Sequence, residues 1–438
     1  MISRIKKRIN DLYLDSTIPY NNIKKRCAYV VKQRITAEDY RAFKKLQMLQ
    51  KIKKNGTKKI KVVFLLQMPE IWEKQQLVYE EMCKREQIET IILTIPKYDI
   101  KTGIHEENIA YDYALRMGFS NVICAKKEKW FDLASIKPDY VFYQRPYEEY
   151  LPEIYRSGTV LNYAKTCYIP YAIFASVSSA MNLEYERGFA RNIYYNFVGS
   201  AELENLVRHK FWITSKMGLR KIKYLGIPIL ENVLKNEGQE SGNKVWEYWG
   251  SKEDQLRVLW TPRWTTDEKL GGSHFFDYVG KFTKFAKKDP NIFFAFRPHT
   301  MAFDNYLKNG LMSEAQIAEL KLEYEKQSNM VIDEKKEYID TFAGTDVLIT
   351  DISSMMMEFF VTGKPIIFCG TQMALDHLNQ EVVETLYHGY TWEEIEKALY
   401  ELYAGNDSLK SARKQVIEKY FGNMRQTSKR IVDAIECD

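Results

Sequence analysis

The sequence predicts an α/β fold: doubly wound parallel sheets in two domains, preceded by a basic helical N-terminal extension. Three observations carry this. Short apolar runs of strand length, Lys61 to Leu66, Thr90 to Ile95 and Val347 to Thr350 among them, are bounded by turn residues, as strands buried on both faces are. Segments of helical period alternate with them, which is the pattern of parallel sheets covered by helices. A chain of 438 residues is long enough for two domains, each with a full core.

Charge sets the beginning of the chain apart. Residues 1–60 hold 17 Lys and Arg against 4 Asp and Glu, while the remainder holds 47 against 54. Ile2, Ile5, Ile9 and Leu12 fall on one helical stripe, with Arg4, Lys6, Lys7 and Arg8 off it. Such a helix can lie in a membrane interface, its cations drawn to anionic lipid at about 1 kcal/mol each. A helix packed on the protein's own body, an oligomer contact and a solvated basic tail are the alternatives. No nucleic-acid partner is expected, because no recognition fold or stacking motif accompanies the charge. Residues 36–57 read as a second helix stopped by Asn55-Gly56. The extension is placed at 1–58.

A first domain is expected over 59–245. Lys61 to Leu66 is its first strand, Glu70 to Arg85 an amphipathic helix and Thr90 to Ile95 the next strand. Asn121 to Ala125, Tyr140 to Tyr143 and Val198 to Gly199 follow as strands, with Tyr224 to Pro228 as the last strand and its exit turn. No G-x-G-x-x-G follows the first strand, which disfavours a dinucleotide-binding enzyme. Glu70 and the run Gln144-Arg145-Pro146-Tyr147 each come just after a strand, where open α/β sheets bind ligands. Glu70 is therefore a candidate acceptor-side base, or else a first-turn glutamate that complements the helix dipole. A polar linker is expected at Glu237 to Lys244.

The second domain is expected over 246–420, beginning with the strand Leu256 to Thr261. Gly271-Gly272-Ser273-His274, in the first long loop, can approach phosphate or form a flexible rim. The strand Asn291 to Phe296 ends directly in Arg297-Pro298-His299. Asp346 to Cys369 reads as a buried strand, a polar turn at Asp351 to Ser354, a short helix and a second strand from Pro365. Two adjacent serines suit the first turn of a helix, where backbone N–H groups and the dipole favour an anion. Lys364 adds a cation close by in sequence. An ordinary β-to-α turn with a serine cap accounts for the same residues. Ser408 to Glu436 is helical in period, and 421–438 is set apart as a terminal helix.

Composition excludes several classes. Six cysteines lie at 27, 83, 124, 167, 369 and 437 without CxxC spacing, and the six histidines form no HxH or HxxxH pair. No zinc site, disulfide framework or cofactor is expected, and a reducing cytoplasm fits. No run of 18 apolar residues spans a bilayer, and no apolar core follows the basic start to make a secretory signal. Thirty tyrosines can serve a polyol surface or tyrosine-rich cores equally. No repeat or low-complexity tract is evident.

Taken in order, Arg297-Pro298-His299, then Asp333 through Tyr338 to Asp340, then Asp346-Val-Leu-Ile-Thr-Asp-Ile-Ser-Ser354, then Glu358-Phe-Phe, then Lys364-Pro-Ile-Ile-Phe368 resemble the CDP-glycerol glycerophosphotransferase family, the teichoic acid polymerases and their capsule-building relatives. The resemblance covers roughly the last 180 residues, and Trp260 to Trp264 resembles the family's first donor-domain strand and loop. Thr300, Ile352 and Glu358 stand where the family usually has proline, tyrosine and aspartate. The family's tryptophan-histidine-glycine motif is missing from the N-terminal half, and Tyr168-Ile169-Pro170-Tyr171 falls where it would be sought.

The resemblance implies a GT-B-like architecture, with an acceptor domain and a CDP-donor domain facing a cleft and a terminal helix crossing back onto the first. It implies transfer of glycerol phosphate or ribitol phosphate from a CDP-linked donor to a hydroxyl of a lipid-linked or oligosaccharide acceptor, with CMP released. Arg297, His299, Ser353, Ser354 and Lys364 would hold the diphosphate. Asp340, Asp351, Glu358 and Arg263 would meet nucleoside or polyol hydroxyls, Asp351 mainly by orienting its turn. His299, Arg297 and Glu70 are the catalytic candidates. The implied location is the inner face of the cell membrane, in cell-wall teichoic acid or capsule synthesis, with residues 1–57 on anionic lipid and an oligomer possible. A GT-B glycosyltransferase using a nucleotide-sugar is the alternative in the same fold, and a non-catalytic membrane-associated assembly factor the alternative of another class.

Overall fold

The computed structural model describes residues 37–50, 59–99, 102–174, 176–267, 272–370, 375 and 377–438. The stripe of Ile2 to Leu12, the tail of the basic arm at 51–58 and Gly271 lie outside the described residues. The chain forms two compact units. One takes its described residues from the stretch up to Leu65, Gln87–Ile169 and Met181–Tyr224; the other is Leu66–Glu86, Pro170–Ala180 and Leu225–Asp438.

The first unit holds β1 (Ile60–Leu66), β2 (Ile88–Thr94), β5 (Val122–Cys124), β6 (Tyr140–Tyr143), β7 (Lys165–Tyr168), β8 (Tyr195–Phe197) and β9 (Lys221–Lys223) in a sheet of order β5-β2-β1-β6-β7-β8-β9. It runs parallel from β1 through β9 and between β2 and β5. Two short strands, β3 (Tyr98–Asp99) and β4 (Ile104–His105), pair antiparallel beside it. The core joins Val63, Leu93, Val141 and Tyr168 to the aromatic rings of Tyr143, Tyr155 and Phe189. The Ala37–Leu49 helix buries Ala42, Leu46 and Leu49, a single face at helical spacing. Its opening acids, Glu38 and Asp39, each lie 2.8 Å from Arg191.

Two strands lie elsewhere than expected. The strand expected at Val198 to Gly199 is β8, three residues earlier in its start, where Tyr195 and Phe197 stack at 4.3 Å and bury. The strand expected at Tyr224 to Pro228 is β9, Lys221–Lys223, and Pro228 instead opens the Pro228–Asn236 helix. Proline's fixed φ and missing N–H suit a first helical position. β7 has no counterpart among the expected strands; its polar Lys165 and Thr166 mask it.

The second unit holds β10 (Leu256–Thr261), β11 (Ile292–Phe296), β12 (Met330–Ile332), β13 (Val347–Thr350), β14 (Ile366–Phe368) and β15 (Tyr387–His388), all parallel, in the order β12-β11-β10-β13-β14-β15. The order reverses at β10 and β13, so this pair is the sheet's switch point. The Phe275–Lys288 helix lays Phe275, Tyr278, Phe282 and Phe285 against Trp260, Phe294 and Phe296 of the strands. The Glu73–Cys83 helix packs on the Pro228–Asn236 and Thr427–Glu436 helices within this unit.

The polar linker expected at Glu237 to Lys244 is a helix, Glu240–Tyr248. Its Gly242 meets Gly344 so closely that a Cβ there would come within 2.5 Å of the Gly344 nitrogen. Glycine at both contact points lets this helix and Ile339–Gly344 touch backbone to backbone. The single helical stretch expected over Ser408 to Glu436 is two helices, Lys410–Phe421 and Thr427–Glu436, broken where Gln426 takes a φ of 69°. The Glu70 to Arg85 helix is a 3₁₀ turn, Pro69–Ile71, followed by Glu73–Cys83. Among the described residues, no helix is long and apolar enough to cross a membrane.

Candidate functional site

Open parallel sheets bind ligands outside the carboxyl ends of their strands, at the switch point. In the second sheet that point lies between β10 and β13. Thr261 and Thr350 pair in register there, with Thr261 Oγ1 donating to Thr350 Oγ1 at 2.9 Å and Thr350 Oγ1 donating to the Thr261 carbonyl at 2.9 Å. The strand ends are therefore locked before the loops depart.

Asp351 is the next residue and is 1% exposed. Its Oδ2 accepts the Arg263 N–H at 2.8 Å and its Oδ1 lies 2.6 Å from His274 Nδ1. One carboxylate thus gathers both ends of the long loop after β10 onto the turn after β13. The hydrogen bond from His274 to Asp351, partly opposed by burial, raises the His274 pKa and favours its imidazolium form. Ser353 caps the Ser354–Phe360 helix, its hydroxyl accepting the Met356 N–H at 3.2 Å. The Ser354 hydroxyl, half-buried, makes no hydrogen bond to a described residue.

His299 stands at the same edge, after β11, the strand on the other side of β10. Two strand spacings, roughly 10 Å, therefore separate its strand from β13. Its Nδ1 accepts the Met301 N–H at 3.1 Å, which leaves the proton on Nε2. Lost solvation and then the charge of Arg263 push its pKa down to about 4. His299 is nevertheless exposed, and with its pKa lowered this histidine is neutral at neutral pH. Arg263, between the two corners, donates to the Ile352 carbonyl at 3.2 Å.

Arg297 does not point into solvent. Its guanidinium pairs with Asp333 at 2.5 Å and donates to the carbonyls of Lys335 at 2.7 Å and Lys336 at 3.1 Å. It fixes the loop after β12 and thereby the backbone that leads to His299. Glu358 is fully buried on the Ser354–Phe360 helix, one oxygen 2.5 Å from Lys74 and the other accepting from the Tyr338 hydroxyl. Lys364 is not brought to the turn. It precedes β14, at the amino edge of the sheet, and donates to the carbonyls of Ala343 and Thr345 at 2.8 Å each. Asp340 accepts from Ser241 at 2.8 Å, tying the Ile339–Gly344 and Glu240–Tyr248 helices together. Glu70 sits on the Pro69–Ile71 turn with its Oε2 buried and without a hydrogen bond among the described residues.

The edge therefore carries His299, Arg263, Asp351, Ser353, Ser354 and His274. His274 was legible only as part of a glycine-rich loop; its pairing with a buried aspartate depends on chain closure that spacing does not reveal. Among the described residues, no group of three or more His, Cys, Asp or Glu side chains is placed to hold a metal ion.

Two doubly wound parallel sheets, with hydrogen-bond donors collected at the switch point of the second, define a GT-B-like α/β protein. Solved structures share this fold. A UDP-GlcNAc 2-epimerase from Neisseria meningitidis aligns with a TM-score of 0.57 at 13% identity, over 86% of this chain and 100% of its own. A UDP-N-acetylglucosamine 2-epimerase from Listeria monocytogenes, described as such provisionally, aligns at 0.56 and 13%, over 86% and 96%. The wall teichoic acid polymerase TagF aligns at 0.54 and 14%, over 91% and 94%. No curated protein matches the sequence. Residues 176–435, more than half of the chain, match the profile of the CDP-glycerol:poly(glycerophosphate) glycerophosphotransferases. The chain belongs to that family and is a glycerophosphotransferase-type enzyme.

Proposed function

We propose that the protein transfers glycerol phosphate or ribitol phosphate from a CDP-linked donor to a hydroxyl of a lipid-linked or glycan acceptor, in teichoic acid or capsule synthesis. The acceptor oxygen bonds to the distal phosphorus, the bridging P–O bond breaks, and CMP leaves with that electron pair. Such a reaction asks for positioning and for stabilisation of charge on the phosphoryl and leaving oxygens, not for a covalent intermediate.

The observation that carries this reading is the set of donors collected by Asp351 around the β10–β13 switch point. His299 offers Nε2–H as a neutral donor, and a bound diphosphate would raise its pKa toward proton transfer. His274, whose pKa is raised by its hydrogen bond to Asp351, and the hydroxyls of Ser353 and Ser354 supply further donors. Arg263 adds a permanent charge beside them. Arg297 acts through the backbone it braces. Lys364 and Asp340, each committed to helix struts, fall outside this donor set. Glu70, with one buried oxygen without a hydrogen bond, is the acceptor-side base we propose. The arm at 1–57 would bring the enzyme to the inner face of an anionic membrane.

A screen of CDP- and UDP-linked donors tests the reading. CMP release from CDP-glycerol or CDP-ribitol, abolished by His299→Ala, is the expected result. UDP release from a nucleotide-sugar would favour a glycosyltransferase, and no turnover of any donor would favour an assembly factor.

A further inference from the structure

A buried polar cluster ties both walls of the donor edge to one lysine. Lys74 Nζ lies 2.5 Å from Glu358 Oε1 and 2.7 Å from the Tyr338 hydroxyl, which donates to the other Glu358 oxygen. All three side chains are shut away from water, with Lys74 at 7%, Tyr338 at 6% and Glu358 at 0% exposure. Glu73, beside Lys74 on the same helix, accepts the Tyr338 N–H at 3.3 Å.

The connections run to both corners of the site. Glu358 stands about one helical turn past Ser354, so fixing its carboxylate fixes the helix that carries Ser353 and Ser354 at its start. Arg297 lies 5.5 Å over the Tyr338 ring and grips the carbonyls of the loop that leads into Tyr338. The backbone to His299 follows directly from Arg297.

We infer that Lys74 and Tyr338 are positioning residues for the donor. They set the separation between the Ser353–Ser354 turn and the Arg297–His299 corner that a nucleoside diphosphate must span. This rests on the donor reading above. Stability alone is a poor explanation for the arrangement. A buried ion pair recovers little more than its own desolvation, and apolar side chains of similar volume often serve as well or better. What the pair adds is direction: a hydrogen-bonded carboxylate with both oxygens occupied admits one orientation of its helix.

The test compares full-length wild type, Lys74→Met, the double variant Lys74→Met/Glu358→Gln and Tyr338→Phe. Thermal unfolding and calorimetric affinity for CDP-glycerol are read side by side. Lys74→Met strands a buried carboxylate and is expected to unfold earlier. The double variant removes the Glu358 charge as well, and Glu73, whose pKa burial already raises to about 7, can take up a proton, so the variant is expected to recover its melting temperature. It should still bind CDP-glycerol about tenfold to a hundredfold more weakly, because the helix is no longer aimed. Tyr338→Phe keeps the ring and is expected to lose affinity in the same direction. A double variant that regains wild-type melting and wild-type affinity together overturns the inference. Wild type that binds no CDP-glycerol fails earlier, at the donor reading, and takes this inference with it.

Discussion

Asp351 Oδ1 lies 2.6 Å from His274 Nδ1, although the two residues belong to different loops. The carboxylate also accepts the Arg263 N–H, so one buried acid assembles the edge. Replacing it by asparagine keeps the volume and removes the carboxylate that raises the His274 pKa. We expect Asp351→Asn to lower kcat/KM for the CDP-linked donor by roughly 10²–10³, the usual cost of one well-aimed electrostatic donor. His274→Ala should lose a similar amount, and the double variant little more than either alone. Steady-state nucleotide release checks this; additive losses would show that the two residues act separately.

His299 should show in pH profiles. Its pKa is pushed down to about 4 in the folded protein, against an ordinary 6.5. The unfolded chain therefore binds more protons between these values. The stability this residue contributes is complete above pH 6.5 and is lost as pH falls toward 4. In His299→Gln that part of the pH dependence should vanish, as measured by urea unfolding at pH 7 and pH 5.

Glu184 has the opposite sign. Burial raises its pKa to about 8, opposed by the hydrogen bond from Tyr168 at 2.6 Å. The folded protein holds a proton that the unfolded chain releases near 4.5. Its contribution is complete below 4.5 and is lost as pH rises through about 8. Glu184→Gln should therefore flatten the decline of stability between pH 5 and pH 8.5, read from urea midpoints.

Gly242→Ala tests the helix contact with Gly344. A Cβ there meets backbone, which cannot swing away as a side chain can. Forcing the two helices apart should cost about 1–3 kcal/mol, the range for overpacking a tight site, visible as a lower urea midpoint. An unchanged midpoint would mean that the contact is looser than described.

Much of the second sheet was legible because its signals are local. Val347 to Thr350 is an unbroken apolar run, and Ser353 caps the helix after it as serine at that position suggests. β7 and β9 were not, since Lys165, Lys221 and Lys223 interrupt the apolar pattern and only the register against neighbouring strands makes them strands. Side-chain partners were least legible. Arg297 and Lys364 look like phosphate ligands in a motif, yet each meets backbone carbonyls set by distant chain. Nothing in the spacing of Lys74 and Glu358 announces that they pair across 284 residues.

The measurement that bears most directly on the donor site is the affinity of CDP-glycerol for wild type, His299→Ala and Ser354→Ala, taken by calorimetry. Wild type is expected to bind it, and binding should weaken by roughly tenfold or more in each variant. Equal affinity in all three would mean that the diphosphate is held somewhere other than the β10–β13 edge.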